Sequence, residues 1–356
     1  MVTRKMQISV GDVVDGDDSK EDEAFIVYTT KKQLTKLANS ERWFMDGTFD
    51  IVPSLFYQLW TIHYQYKEVG HPGVFVLSTH KTADMYQRIL DAVFTAVLKI
   101  KPDFVLIQAT SDFESGLIPV LTSLSFRVDV QVNYQLGANE EFDDNDPTVI
   151  NRYVQFIGCW FHYSSAIRKW VVDNGLKSCY EADTKDGSTN VIRQHLRRFM
   201  ALAVSPLRHV EATVAHLYET MPNRLIQSGF QTYFTRTWMT LYKPPLWKVY
   251  GHKVKTNNLV EGFHNGLNHR ATSKNLDFFA LTELLADEIR RIDTEQLQQD
   301  MGQTVRRRNG NALRKQERLD SLQRELDVEL ANCNDNNEIV SLIISHLDNI
   351  ALAMRS

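Results

Sequence analysis

Asp46, Asp112 and Glu261 are the side chains of this sequence whose types and settings point to chemistry. Asp46 lies in WFMDGTF (43–49), Asp112 in ATSDFES (109–115) and Glu261 in TNNLVEGFHNGLNHR (256–270). Each Asp follows an apolar, β-like run, whereas the Glu falls on a helix-patterned stretch far downstream. A carboxylate that ends a buried strand is expensive unless a cation meets it. A pair of divalent ions held among three carboxylates would be such a partner, and would clamp the attacking and leaving oxygens of a phosphodiester during in-line displacement. Mg²⁺ suits an oxygen-rich, partly hydrated site of this kind, and Mn²⁺ fits it as well.

The elements that would carry these acids follow from local pattern. If Asn257 or Asn258 caps a helix, Leu259, Phe263 and Leu267 form an i, i+4, i+8 stripe toward the core. Glu261, His264, Asn265 and Asn268 then share a second face, from which the polar groups would reach DNA or the surroundings of a metal. Each acid also has a plainer reading: Asp46 as a turn residue, Asp112 as the N-cap of a helix over 114–124, and Glu261 as a solvated surface group.

Cys159 and His162 are spaced Cys-x-x-His, which invites a zinc reading. A structural zinc takes four ligands, and Cys179 and His195 are the nearest candidates to complete the set. His162 reads equally as an ordinary hydrogen-bonding histidine at a helix start. Trp160, Trp170, Trp238 and Trp247, with Arg168, Arg197, Arg198 and Arg236, would either stack on unpaired bases or pack a core. The run Arg306, Arg307, Arg308 reads as a phosphate contact, a nuclear-import signal or a chance tripeptide.

Composition bounds these readings. The chain has 356 residues, 43% hydrophobic and 24% charged, enough for one large core and a subdomain. No apolar run approaches the roughly 20 residues of a membrane helix, and the first residues lack a signal-peptide core, so neither membrane insertion nor secretion is expected. Cys159, Cys179 and Cys333 are too few and too odd for a disulfide framework and suit a reducing compartment. The net charge of -4 is uneven: residues 163–275 hold 16 Lys and Arg against 7 Asp and Glu. That surplus is either a basic surface for a nucleic acid or a set of ordinary solvated faces.

Residues 1–23 read as a flexible acidic lead-in. A strand at 24–29 and a helix at 31–39 precede three strand-like runs at about 43–49, 56–64 and 73–79, which the breaks at Pro53 and Gly70–Gly73 turn into an antiparallel meander. A helix over 83–98, a buried strand ending at Asp112, a helix over 114–124, a strand at 153–158 and a helix at 160–174 continue an α/β alternation. The segment 133–151 reads as a solvated loop insertion. From 188 to about 250 the pattern is helical. Long helices follow at 276–299 and 312–330, the second with Leu319, Leu322, Leu326 and Leu330 on a stripe suited to docking on the body.

MDGTFDIVPSLFYQLWTIH (45–63), SDFES (111–115), GCWFH (158–162) and TNNLVEGFHNGLN (256–268), in that order, closely resemble the Mutator-like element transposases. In layout the resemblance covers about residues 24 to 330. It implies an α/β, ribonuclease H-like fold: a mixed sheet flanked by helices, interrupted by an all-α insertion before the last catalytic helix and followed by C-terminal helices. The catalytic core would comprise 24–180 and 256–300, the helical insertion 181–255, and a C-terminal helical segment 301–356. The family's DDE acids fall on Asp46, Asp112 and Glu261, as ligands of two Mg²⁺ or Mn²⁺ ions. Cys159 and His162 mark a structural or DNA-proximal motif. His162, His264, Asn265, Asn268, Arg197 and Arg198 are the expected DNA contacts. The implied partners are transposon ends and target DNA, with no membrane, a nuclear location and a homo-oligomer when active. The sequence departs from the family in lacking a zinc-finger-like module ahead of Asp46 and a CxC…CxH-type module after Glu261. A truncated element, recognition by the helical insertion and a domesticated copy stay open. The functions in view are a DDE transposase, a non-transposing nuclease, and a catalytically silent DNA-binding or regulatory protein.

Overall fold

The computed structural model describes residues 7–10, 23–67, 69–129, 133–135, 149–182, 190–252, 255–271, 273–303 and 310–353. Ten strands are present among them: β1 Gln7–Val10, β2 Phe25–Thr29, β3 Arg42–Thr48, β4 Gln58–Tyr66, β5 Val69–Ser78, β6 Gln108–Ser111, β7 Ser125–Asp129, β8 Asn133–Gln135, β9 Val149–Tyr153 and β10 Gln155–Gly158. A mixed sheet runs in the order β1-β2-β5-β4-β3-β6-β10, and β8-β7-β9 form a small second sheet. The chain divides into two units, residues 1–156 with 257–306, and 157–256 with 307–356. The fold class is α/β, as expected. Among the described residues no helix is long and apolar enough to cross a membrane.

In the first unit the expected meander is β3, β4 and β5, paired antiparallel. β6 then joins β3 in parallel, with Phe44 opposite Thr110. The strands are apolar on both sides because both faces are covered. One face carries Trp43, stacked on Phe94 and Phe104 at 5.0 and 5.3 Å, and Trp60, which meets Tyr86 at 5.1 Å. These contacts seat the helix Ala83–Leu98, which Thr82 starts by accepting a hydrogen bond from Met85 N. The opposite face carries Leu59, Phe75 and Leu77, packed with Phe263, Leu267, Leu281 and Leu285 of the helices Asn258–Arg270 and Phe278–Asp300. Burying a side chain such as Phe263 or Leu267 contributes about 2 kcal/mol.

Several expectations shift. The strand before Asp112 is confined to Gln108–Ser111, although Ile107 already donates to Glu41 O at 2.9 Å and accepts from Gln155 N at 2.8 Å. The helix expected over 114–124 spans only Leu117–Ser123 and starts at Gly116. The segment expected as a loop at 133–151 supplies β8 and part of β9, both paired with β7; residues 136–148 lie outside those described. Arg306 to Arg308 also lie outside them.

The second unit is helical. Tyr163 stacks on Trp247 at 4.9 Å, and Phe199 meets Phe234 at 4.6 Å. The boundaries fall differently from those read in the sequence. The helix Trp160–Asp173 belongs to this unit, and so do the helices Gly310–Ala331 and Asn336–Ala353, which were expected as a separate C-terminal segment. Polar ties explain the second assignment: Arg198 holds Asp348 through two 2.7 Å bonds, Lys255 reaches Asp320 at 3.3 Å, and Tyr250 donates to Asp327 at 2.5 Å. Leu322, Leu326 and Leu330 are buried, while Leu319 is only half-buried.

Candidate active site

Sheet register brings the two aspartates to one level. Phe44 of β3 pairs with Thr110 of β6 in parallel, so two further residues along each chain stand Asp46 and Asp112. Asp46 is still inside its strand, directly across from Thr61 of β4. Asp112 is the first residue beyond β6. It caps no helix, since the next helix starts five residues later at Leu117. Parallel neighbours whose C-terminal ends carry acids form one rim of the sheet, the usual place for a site in an open α/β sheet.

The helix Asn258–Arg270 is pinned to the same rim. Asn257 occupies its N-cap position without capping it. The side-chain amide instead donates to the backbone oxygen of Met45 at 2.9 Å, one residue before Asp46. That replaces the expected capping role and fixes where the helix begins. Val260, Phe263 and Leu267 form its buried stripe; the side chain of Leu259 lies outside the described set. Glu261, half-buried in the first turn, stands where the helix dipole favours a carboxylate.

One turn on, His264 is 6% exposed and turned inward. Its Nδ1 lies 3.4 Å from Asp46 Oδ2, and its Nε2 lies 2.8 Å from Thr61 Oγ1. Thr61 Oγ1 is also 3.0 Å from His63 Nε2. Burial first, and then the neighbouring imidazoles of His264 and His71, push the His63 pKa well below the usual imidazole range. A buried polar row thus runs from His63 through Thr61 and His264 to Asp46.

Glu114 is a fourth acid at this rim that motif reading passed over. Its Oε2 accepts from the Tyr86 hydroxyl at 2.7 Å, and Tyr86 accepts from Gln58 Nε2 at 2.8 Å. Its Oε1 lies 3.8 Å from Lys81 Nζ. Burial pushes the Glu114 carboxyl above its usual range, and the charges of Asp112 and Asp46 push it the same way, against the Tyr86 hydrogen bond and Lys81. Two acids within SDFES were the visible signal. Its meaning depends on the turn that brings Glu114 back toward the strand ends.

These carboxylates are not drawn into one tight cage. Among the described residues of this unit, no three His, Cys, Asp or Glu side chains bring ligand atoms within 4.8 Å of one another. The donor set itself is all oxygen and negatively charged, which fits a hard divalent cation better than a soft one. A pair of ions about 3.5–4 Å apart would also spread its ligands wider than a single ion does.

The other expected residues separate. Asn265 is exposed and free to face a ligand, whereas Asn268 is half-buried with its Nδ2 3.5 Å from Asp50 Oδ2. In the second unit, Arg198 is committed to Asp348, and Arg197 donates to the Tyr180 hydroxyl at 3.4 Å. The Arg198 guanidinium is therefore engaged within the unit, whereas Arg197 makes one long bond and leaves its Nη1 without a hydrogen-bond partner among the described residues. Cys159 is buried at the N-cap position of the helix Trp160–Asp173, and His162 is half-buried beside Phe161. Their ligand atoms lie within 4.8 Å of each other, but Cys179 and His195 do not join them. His195 spends its Nε2 on the backbone oxygen of Leu217. The tryptophans pack rather than present rings: Trp160 donates to Met200 O, Trp238 to the Tyr233 hydroxyl and Trp247 to Trp238 O, while Trp170 stacks on Tyr233. The chain matches no protein-family model, no curated protein and no solved structure.

Proposed function

We propose that the first unit is the catalytic domain of a DDE-type transposase with a ribonuclease H-like sheet, cleaving and joining DNA at Asp46, Asp112 and Glu261. The observation that carries this reading is the shared level of Asp46 and Asp112 on parallel β3 and β6, together with a helix bearing Glu261 that Asn257 anchors to Met45. A sheet of three antiparallel strands followed by a strand parallel to the first supports the ribonuclease H-like assignment.

The three carboxylates would hold two Mg²⁺ or Mn²⁺ ions, which when bound supply a polarised nucleophile and a neutralised leaving oxygen. The protein's own contribution is positional. β3 holds Asp46 inside its strand and β6 places Asp112 just past its end, His264 orients Asp46 by contact with its Oδ2, and Thr61 orients His264 from the other ring nitrogen. Glu114 adds negative charge that strengthens the site's demand for cations. The substrates would be transposon ends and target DNA, handled in the nucleus by a homo-oligomer. Nicking or strand transfer on a DNA duplex in Mg²⁺ or Mn²⁺, lost in Asp46→Asn, tests the reading; equal activity in that variant overturns it.

The separation of the three acids favours a second reading, a catalytically silent DNA-binding or regulatory protein of the same descent. DNA binding that persists in Mn²⁺ without any cleavage would select it.

A further inference from the structure

The loop Phe49 to Tyr57 joins β3 to β4 and begins three residues after Asp46. Its inner side is fixed to the core: Ile51 and Val52 are buried, Phe56 stacks on Phe278, and Tyr57 N donates to Ser78 O at 2.8 Å. Its outer side is apolar and bare, with Phe49 50%, Leu55 79% and Tyr57 48% exposed. Single exposed apolar residues are ordinary, but three on one rigid loop form a surface that water solvates poorly.

Phe49 and Tyr57 meet edge to face at 5.6 Å. Lys81 Nζ lies 5.8 Å from the centre of the first ring and 5.3 Å from that of the second. The same ammonium is 3.8 Å from Glu114 Oε1 and 46% exposed, so this long contact is easily exchanged. Lys81 is held there by its backbone: a Cβ added to Gly116 would stand 2.4 Å from Lys81 O, which means that the segment after Asp112 and the segment bearing Lys81 touch directly. Two open rings and a cation thus border the acid rim.

Resting on the reading that these acids act on DNA, we propose that Phe49, Tyr57 and Lys81 seat an unpaired nucleotide. The base stacks on the aromatic pair, and its phosphate draws the Lys81 ammonium away from Glu114. Stacking tolerates any base because every base has a π-face, so the seat selects unpaired strand over duplex without reading sequence. The charge of Lys81 favours this occupant over an apolar peptide or a second copy of the chain.

Anisotropy of a labelled oligothymidine of about 12 nucleotides on the full-length protein, in EDTA, tests the seat with cleavage switched off. All three side chains are about half exposed and none belongs to the buried core, so the variants retain the core. Phe49→Leu with Tyr57→Leu should weaken binding about tenfold or more, and Phe49→Trp with Tyr57→Trp should preserve it. Lys81→Gln should reduce the dependence of log affinity on log salt by about 0.7. Wild-type affinity in the double Leu variant, equal losses on duplex of the same sequence, or no binding of single strand by the wild type would each overturn the proposal. Strand binding that follows these expectations in a protein that never nicks DNA would instead overturn the catalytic reading and leave the seat standing.

Discussion

His264 and Asp46 meet across two elements more than two hundred residues apart in sequence, Nδ1 to Oδ2 at 3.4 Å. The contact ties the helix that carries Glu261 to the strand that carries Asp46. His264→Ala should leave Thr61 and its neighbour His63 with a broken buried hydrogen-bond row, at a cost of about 1–3 kcal/mol. Urea denaturation would measure that loss, and DNA nicking should fall with it. His264→Gln, which restores a donor and an acceptor, should recover part of both.

A second prediction concerns acid stability. Burial depresses His195 to about 4, aided by the charges of Arg198 and His216 and opposed by its hydrogen bond to Leu217 O. The unfolded chain therefore takes up a proton first as pH falls. The stabilisation is fully present above about pH 6.5, declines as pH drops, and is gone below about 4, a total on the order of 3 kcal/mol. Denaturation midpoints between pH 7.5 and 4.5 should fall steeply in the wild type and less steeply in His195→Gln.

Gly116 makes a third case. Its φ of -77° is open to any residue, so the constraint is space alone: an added Cβ would lie 2.4 Å from Lys81 O and 3.3 Å from Thr82 C. Gly116→Ala should cost about 1–3 kcal/mol through backbone displacement. A melting temperature equal to that of the wild type would show that the two segments are not in close contact.

Arg198 was expected at DNA and is instead paired with Asp348, whose carboxyl lies below its usual range. Burial pushes that carboxyl up, but hydrogen bonds from Arg198 and Gln194 and the Arg198 charge outweigh it. Both partners are partly exposed, at 20% and 28%, so Asp348→Asn should destabilise by only about 1–2 kcal/mol. Arg198→Ala should lower stability while leaving the salt dependence of DNA binding unchanged. A smaller salt slope without loss of stability would return Arg198 to the DNA surface.

The meander was legible because three apolar runs separated by Pro and Gly breaks have little alternative to antiparallel pairing. Asp46 and Asp112 stood out as acids ending apolar runs, and the register of Phe44 with Thr110 gives that intuition a geometry. The small sheet was hidden by its polar strands, NYQ in β8 and VINRY in β9. The Leu stripe of 310–331 showed that the helix docks but not on what, since an amphipathic face does not name its partner. Aromatic residues were the least legible. The tryptophans read either as stacking platforms or as core and proved to be packed, whereas Phe49 and Tyr57, unremarked among the apolar residues of their loop, are among the rings left open. Exposure is decided by which neighbours the fold supplies, and those come from distant sequence.

Cation binding tests the central claim most directly. Titration of Mn²⁺ into the full-length protein, with free ion followed by electron paramagnetic resonance, should show uptake of about two ions per chain, and weaker or incomplete uptake in Asp46→Asn, Asp112→Asn and Glu261→Gln. A wild type that binds no Mn²⁺, or the same uptake in all three variants, would contradict the account.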